Sequence, residues 1–161
     1  MSPSAVQVAE RANVGLRTVF RHFEDMESIF EEMTDELKSV LMPRLTAPFE
    51  AKTPRSKLLE LTDRLTDLYE QAFPMQVALV IRRFQSDFLQ KQYKSEVSLL
   101  RSVLKSILPQ NIVADRTRFA AIEVNLTFAT WRRLREDQNL SAANAKKTLL
   151  LILEALTDGL D

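Results

Sequence analysis

Residues 8–23 read VAERANVGLRTVFRHF, and the punctuation of this stretch decides the fold. Ser4 is a good N-cap, and Ala5, Val8, Ala9 and Ala12 follow it at i, i+3, i+4 and i+7, one face of a helix that should end at Asn13. Gly15 is expected to take backbone angles closed to other residues, after which Val19 and Phe23 stand four apart on an inner face. Burying that pair turns Arg17 and Arg21 outward together, with Thr18 and His22 as a second pair beside them. The pattern is helix, tight turn, helix, with a basic outer face on the second helix.

Working outward, a long helix is expected from Asp25 to about Leu41. Its apolar side is Met26, Ile29, Phe30, Met33, Leu37 and Leu41, and Pro43 and Pro48 mark its end. Thr53-Pro54 is a cap followed by a first-turn proline, opening a helix with Leu58, Leu61, Leu65, Leu68 and Tyr69 on one side. Pro74 breaks it. Further helices are expected over about Met75–Gln90, Tyr93–Leu108, Asp115–Asp137 and Ala142–Asp158, the last capped by Ser141 and stopped at Gly159.

Composition agrees. The 161 residues are 45% hydrophobic and hold only two glycines and six prolines, which favours an all-α chain over a turn-rich sheet. With no cysteine and a single histidine, His22, neither disulfides nor a multi-histidine or thiolate metal site can form within one chain. The start MSPSAVQ has no basic region followed by an apolar run, and no stretch approaches a membrane span, so a cytoplasmic protein without membrane association is expected. Lys and Arg balance Asp and Glu at 22 each, but the charges are segregated. Residues 1–23 carry Arg11, Arg17 and Arg21 against Glu10, whereas Glu24 to Glu36 holds seven acids and no base.

A second helix laid in the major groove reads DNA with its first residues, while flanking side chains grip phosphate. Arg17 and Arg21 suit guanine or phosphate. The stretch VAERANVGLRTVFRHFEDMESIF resembles the helix-turn-helix of the TetR/AcrR family of transcriptional regulators, and ATWRRLREDQNLSAANAKKTLLLILEALTDGL resembles that family's last two helices. Residues from about 40 to 115 match only in helical layout. The resemblance implies a two-fold dimer joined by its last two helices, a palindromic DNA operator, and a central cavity for a small-molecule effector that releases DNA. It places Gly15, Leu16 and Arg17 at the base-reading start of the recognition helix, and Thr18 and His22 at phosphate, with Arg21 fitting either role. Phe20 stands where a tyrosine often offers its hydroxyl to phosphate, and Met26 where a lysine is common. The family's preceding helix, of roughly 15 to 20 residues, has no counterpart before this motif. Val8, Ala12, Val19 and Phe23 are therefore expected to lack much of their cover.

The resulting expectation is an all-α protein. Residues 1–42 form a partial helix-turn-helix DNA-binding domain with its connecting helix, and residues 43–161 a helical effector-binding and dimerisation domain. Its function is that of a ligand-responsive repressor. The competing reading is a dimeric ligand-sequestering or interaction module that has lost DNA binding. Arg82, Arg83, Phe84, Phe128 and Trp131 are candidate ligand contacts, an arginine that interrupts the apolar run MQVALVI being suited to an anionic effector. The alternatives are arginines lying along a helix surface and aromatics in an ordinary core. Asp63 and Asp67 are expected on a solvated face. No catalytic residue or cofactor is assigned: a cysteine nucleophile and a glycine-rich phosphate loop are both lacking. The last helix carries Leu149, Leu150, Leu151, Ile152, Leu153, Ala155, Leu156 and Leu160, an apolar arc too wide for one neighbour. A homodimer dependent on Leu153 and Leu156 is expected.

Overall fold

The computed structural model describes residues 5–159. Ser4 and Leu160, and the side chains of Val8, Phe23, Met26 and Leu41, lie outside the described residues. Helices make up 82% of the chain, with no strand among the described residues. In order they are α1 (Ala5–Ala12), α2 (Leu16–Thr46), α3 (Pro54–Gln71), α4 (Phe73–Arg82), α5 (Asp87–Ile107), α6 (Gln110–Ala114), α7 (Arg116–Asn125), α8 (Phe128–Arg132), a π turn (Arg133–Asp137) and α9 (Ala142–Leu156). None of the described helices is long and apolar enough to cross a membrane.

The tight turn is built differently from the expectation. Asn13, at φ 51°, takes the left-handed conformation, and the Val14 amide donates to the Ala9 carbonyl at 3.1 Å, closing α1 with a wide turn. Gly15 is extended, at φ −66° and ψ 144°, and precedes α2 without a side-chain cap. A Cβ there would meet only Thr18 Oγ1 at 3.9 Å, so this position does not need glycine.

From Leu16 the chain runs as one helix of 31 residues, with no break before Asp25. It also passes through Pro43 rather than stopping near Leu41. Helix α3 secures the end of α2: Arg64 donates to the carbonyls of Arg44 at 3.1 Å and of Ala47 and Pro48 at 2.7 Å. Glu60, hydrogen-bonded to Arg64, accepts from the Glu50 and Ala51 amides. Those backbone donors, the Ala51 amide first, hold its carboxyl below the usual range.

Helix α3 is the centre of the core. Thr53 and Ser56 form a reciprocal capping box with Pro54 in the first turn, and Leu58, Leu61, Leu65, Leu68 and Tyr69 are buried as their spacing requires. Helices α2, α4, α5, α8 and α9 all pack on α3. The next break falls at residues 83–86 rather than after Gln90. Ser86 caps α5 by accepting from the Leu89 amide at 3.2 Å, and Asp87 adds an acid to its first turn. The expected helix Asp115–Asp137 is also divided. At Leu126 and Thr127 the backbone bonds shorten to i→i−3, Tyr69 Oη donates to the Leu126 carbonyl at 2.8 Å, and Thr127 caps α8. Burial raises the Tyr69 pKa well above its ordinary value, so it remains a neutral donor.

Candidate functional site

Three features carry the candidate residues: the open face of α2, an internal cavity, and the outer surface of α7 and α9. On the first, Ala9 and Val19 are buried between α1 and α2, so Val19 has the cover that it was expected to lack. Gly15, Leu16, Arg17, Phe20, Arg21 and His22 are exposed, and Thr18 is half-buried. Arg17, Arg21 and His22 make no ion pair or hydrogen bond among the described residues. Apolar side chains accompany these cations at the surface: Val6, Val14, Leu16 and Phe20 are all large and exposed, and so is Ala12. Ile29, assigned above to the inner side of the long helix, is also exposed. The buried positions of this helix beyond Ile29 are Thr34 and Leu37, at 1% and 5% exposure.

The second feature is a partly open cavity of about 390 Å³ enclosed by α2, α3, α4, α5 and the start of α8. Leu61, Leu65 and Leu68 form its α3 wall, Leu79 and Val80 its α4 wall, and Leu89, Leu100 and Val103 its α5 wall. Helix α2 roofs it with Thr34, Leu37, Lys38, Met42 and Leu45, none of them among the candidate contacts that the sequence suggests. The lining is mostly aliphatic with a few polar groups, the general make-up of a small-molecule site. Of the candidate ligand contacts, Arg83 and Phe128 line it. Arg82, Phe84 and Trp131 do not. Arg82 and Phe84 point to solvent, and Trp131 is 1% exposed in the core, where its Nε1 donates to Glu70 Oε1 at 2.9 Å.

Glu70 is the hub of this region. It also accepts from Arg135 Nε at 2.7 Å, and this guanidinium holds the Glu70 carboxyl below its usual range while the Arg135 pKa is raised. Arg135 also donates to the Leu140 carbonyl, which ties the π turn to the start of α9. Asp63 and Asp67 are exposed, as expected, and both face Lys146, at 2.8 and 3.9 Å.

Within the cavity the charged side chains are Lys38, Arg83 and Glu96. Glu96 is reachable by water but surrounded by protein, and this desolvation raises its carboxyl pKa against the opposing charge of Lys38. The Arg83 guanidinium stacks on Tyr93, 3.8 Å from the ring centre, and on Phe84 at 4.6 Å. Its Nε is buried without an acceptor, as is Thr34 Oγ1. Arg83 also borders a second depression shared with Glu27, Ser86, Asp87 and Gln90. There Ser86 Oγ donates to Glu27 Oε1 at 2.8 Å, fastening α5 to α2 eleven residues beyond Leu16.

On the third surface the structure corrects the choice of Leu153 and Leu156. Leu153 is fully buried and Leu156 half-buried, because this side of α9 packs on α3 and α7 within the same chain. The outward apolar residues are Leu151 (68% exposed), Ile152 and Ala155 on α9, with Ala120 and Val124 on α7. Their spacing, 120 to 124 and 151, 152 to 155, gives each helix one apolar outer face.

Compared with protein-family models, curated proteins and solved structures, the chain matches none.

Proposed function

We propose that this chain is a ligand-responsive DNA-binding regulator, a repressor that acts as a homodimer. The observation that carries the reading is the open basic face of α2. Arg17, Arg21 and His22 project side by side from its first two turns with no partner among the described residues, leaving their donors available to phosphate and base edges. Two further features support it. The same unbroken helix forms the roof of the cavity twenty residues later, so a small molecule that displaces α2 acts on the element that carries the basic face. The exposed apolar faces of α7 and α9 suit a two-fold contact with a second copy, which would present two basic faces to one duplex.

Equilibrium binding to duplexes of varied sequence tests the reading. Arg17→Ala should relax base preference and cost about 1–3 kcal/mol, whereas His22→Ala should weaken all sequences alike. Binding unchanged by both substitutions would remove DNA from the reading. Exposed Val6, Val14, Leu16 and Phe20 among the cations favour a second reading, an interaction module whose partner is a protein. In that case Leu16→Ser, and not Arg17→Ala, should abolish partner binding.

A further inference from the structure

We propose, building on the reading of the cavity as an effector site, that it selects amphiphilic monoanions, an apolar chain or ring system ending in a carboxylate or comparable oxyanion, and that Arg83 binds the anionic end. The Arg83 guanidinium has no hydrogen-bond or ion-pair acceptor among the described residues, and its Nε is buried. A half-buried cation left in this state is a costly feature that an oxyanion in the cavity relieves. The guanidinium lies over the ring of Tyr93, which also lines the cavity, and close to that of Phe84, contacts that hold it beside the cavity, and a guanidinium carries several donors for an oxyanion.

The neighbouring charges set the valence. Of the charged groups lining the cavity, Lys38 and Arg83 are cationic and Glu96 is the one acid; Lys38 also faces Asp35 at 3.7 Å, so Arg83 is the cation of the lining without an acidic partner among the described residues. Glu27 and Asp87 lie around the depression on the other side of Arg83, and neither forms an ion pair with it. Glu27 is already engaged by Ser86. A dianion would meet Glu96 without a further cation to offset it, and a neutral ligand would leave Arg83 as it is.

The backbone sets the shape. Helices α2 and α5 run alongside each other from the Glu27–Ser86 bond, with Lys38 acting on Glu96 further along. Thr34 lies seven residues beyond Glu27 and Tyr93 seven beyond Ser86, so the unpaired Thr34 hydroxyl shares the polar end with Arg83. From Tyr93 to Val103 the α5 wall extends for about 15 Å; Ser95 and Glu96 lie within a turn of Tyr93, and the α5 lining after them, Val97, Leu99, Leu100 and Val103, is aliphatic. Along α5 the cavity is therefore polar from the α4–α5 corner through Glu96 and aliphatic beyond it.

Calorimetric titration of the protein with decanoate and with decanol, matched in chain length and differing in charge, tests this. Decanoate should bind once per chain and roughly tenfold or more tightly than decanol, a preference of the size expected for a charge-assisted pair. Arg83→Gln should erase the preference without weakening decanol, and Glu96→Gln should tighten decanoate. Leu100→Trp, which fills the aliphatic end, should block both. Equal binding of the two compounds, blocked by Leu100→Trp, would overturn the anion assignment and leave the effector site standing. No binding of either, or binding indifferent to Leu100→Trp, would overturn both. Should Arg83→Gln fail to fold, Glu96→Gln decides: unchanged decanoate affinity would overturn the assignment.

Discussion

Two leucines of α9, two positions apart, should behave in opposite ways. Leu153 has no exposed surface and belongs to the central core, whereas Leu151 is 68% exposed on the face that we assign to a second copy. Leu153→Ala removes methylenes from a closed interior and should cost roughly 2–5 kcal/mol. At about 2–4 °C per kcal/mol for a chain of this length, the unfolding midpoint should fall by roughly 5–20 °C. Leu151→Ala touches little within the subunit, but in a dimer it removes the burial of one leucine from each partner. Fully burying a leucine is worth about 1.5–3 kcal/mol. With two-thirds of the residue exposed before association, the loss is roughly 2–4 kcal/mol per dimer, a dissociation constant about thirty to several hundred times larger. Leu151→Glu should exceed this and give a folded monomer. Sedimentation equilibrium measures the association, and circular dichroism the melting. A Leu151→Glu protein that is unfolded, or still dimeric at wild-type affinity, would refute the assignment of the two faces.

Other consequences are local. The Glu70 carboxyl is lower in the folded protein than its ordinary value of 4.5, so its contribution is present above that value and is lost as pH falls through the folded pKa. Glu70→Gln should therefore flatten the acid limb of the stability profile, measured by denaturant unfolding between pH 6 and 3. Glu96 is shifted the other way, so its ionised form costs stability at neutral pH. Glu96→Gln should raise the midpoint at pH 7 and lose that advantage in acid. Tyr69→Phe leaves the Leu126 carbonyl without its side-chain donor and should cost about 1–2 kcal/mol, seen as a lower midpoint in urea. Arg64→Met removes the anchor of Glu60, and amide exchange at Glu50 and Ala51 should accelerate while the core amides of α3 stay protected.

Which features could be read from the residues depends on whether a signal is local. The Thr53-Pro54 cap, the aliphatic side of α3, the Ser141 cap and the outward basic pairs of α2 all follow from spacing or from a residue's own chemistry, and the structure has them where spacing puts them. Pro43 misled because the end of α2 is fixed from a distance, by Arg64, a residue twenty positions away from the Arg44 carbonyl to which it donates. The break at Leu126 was invisible for a similar reason. No glycine or proline marks it, and the Leu126 carbonyl is taken by Tyr69, 57 residues earlier. Asn13 rather than Gly15 adopts the left-handed turn, a choice between two permissive residues either side of Val14 that local sequence does not make. At the cavity, Arg83 could be separated from Arg82 only by knowing where α4 ends, since one residue of helix rotates a side chain by about 100°. The dimer face suffered from an excess of signal: α9 is apolar on most sides, and only the packing of α3 and α7 shows which leucines remain for a partner.

In the proposed regulator two copies of the α2 basic face read DNA together. Selection of random duplexes by the purified protein, followed by sequencing of those retained, tests this most directly. A two-fold symmetric site whose halves lie about 34 Å, one helical turn, apart should be enriched. That enrichment should be lost in the Arg17→Ala/Arg21→Ala double variant and in Leu151→Glu. Retention of duplexes without sequence preference, or the same enriched site recovered by the double variant, would contradict the proposal.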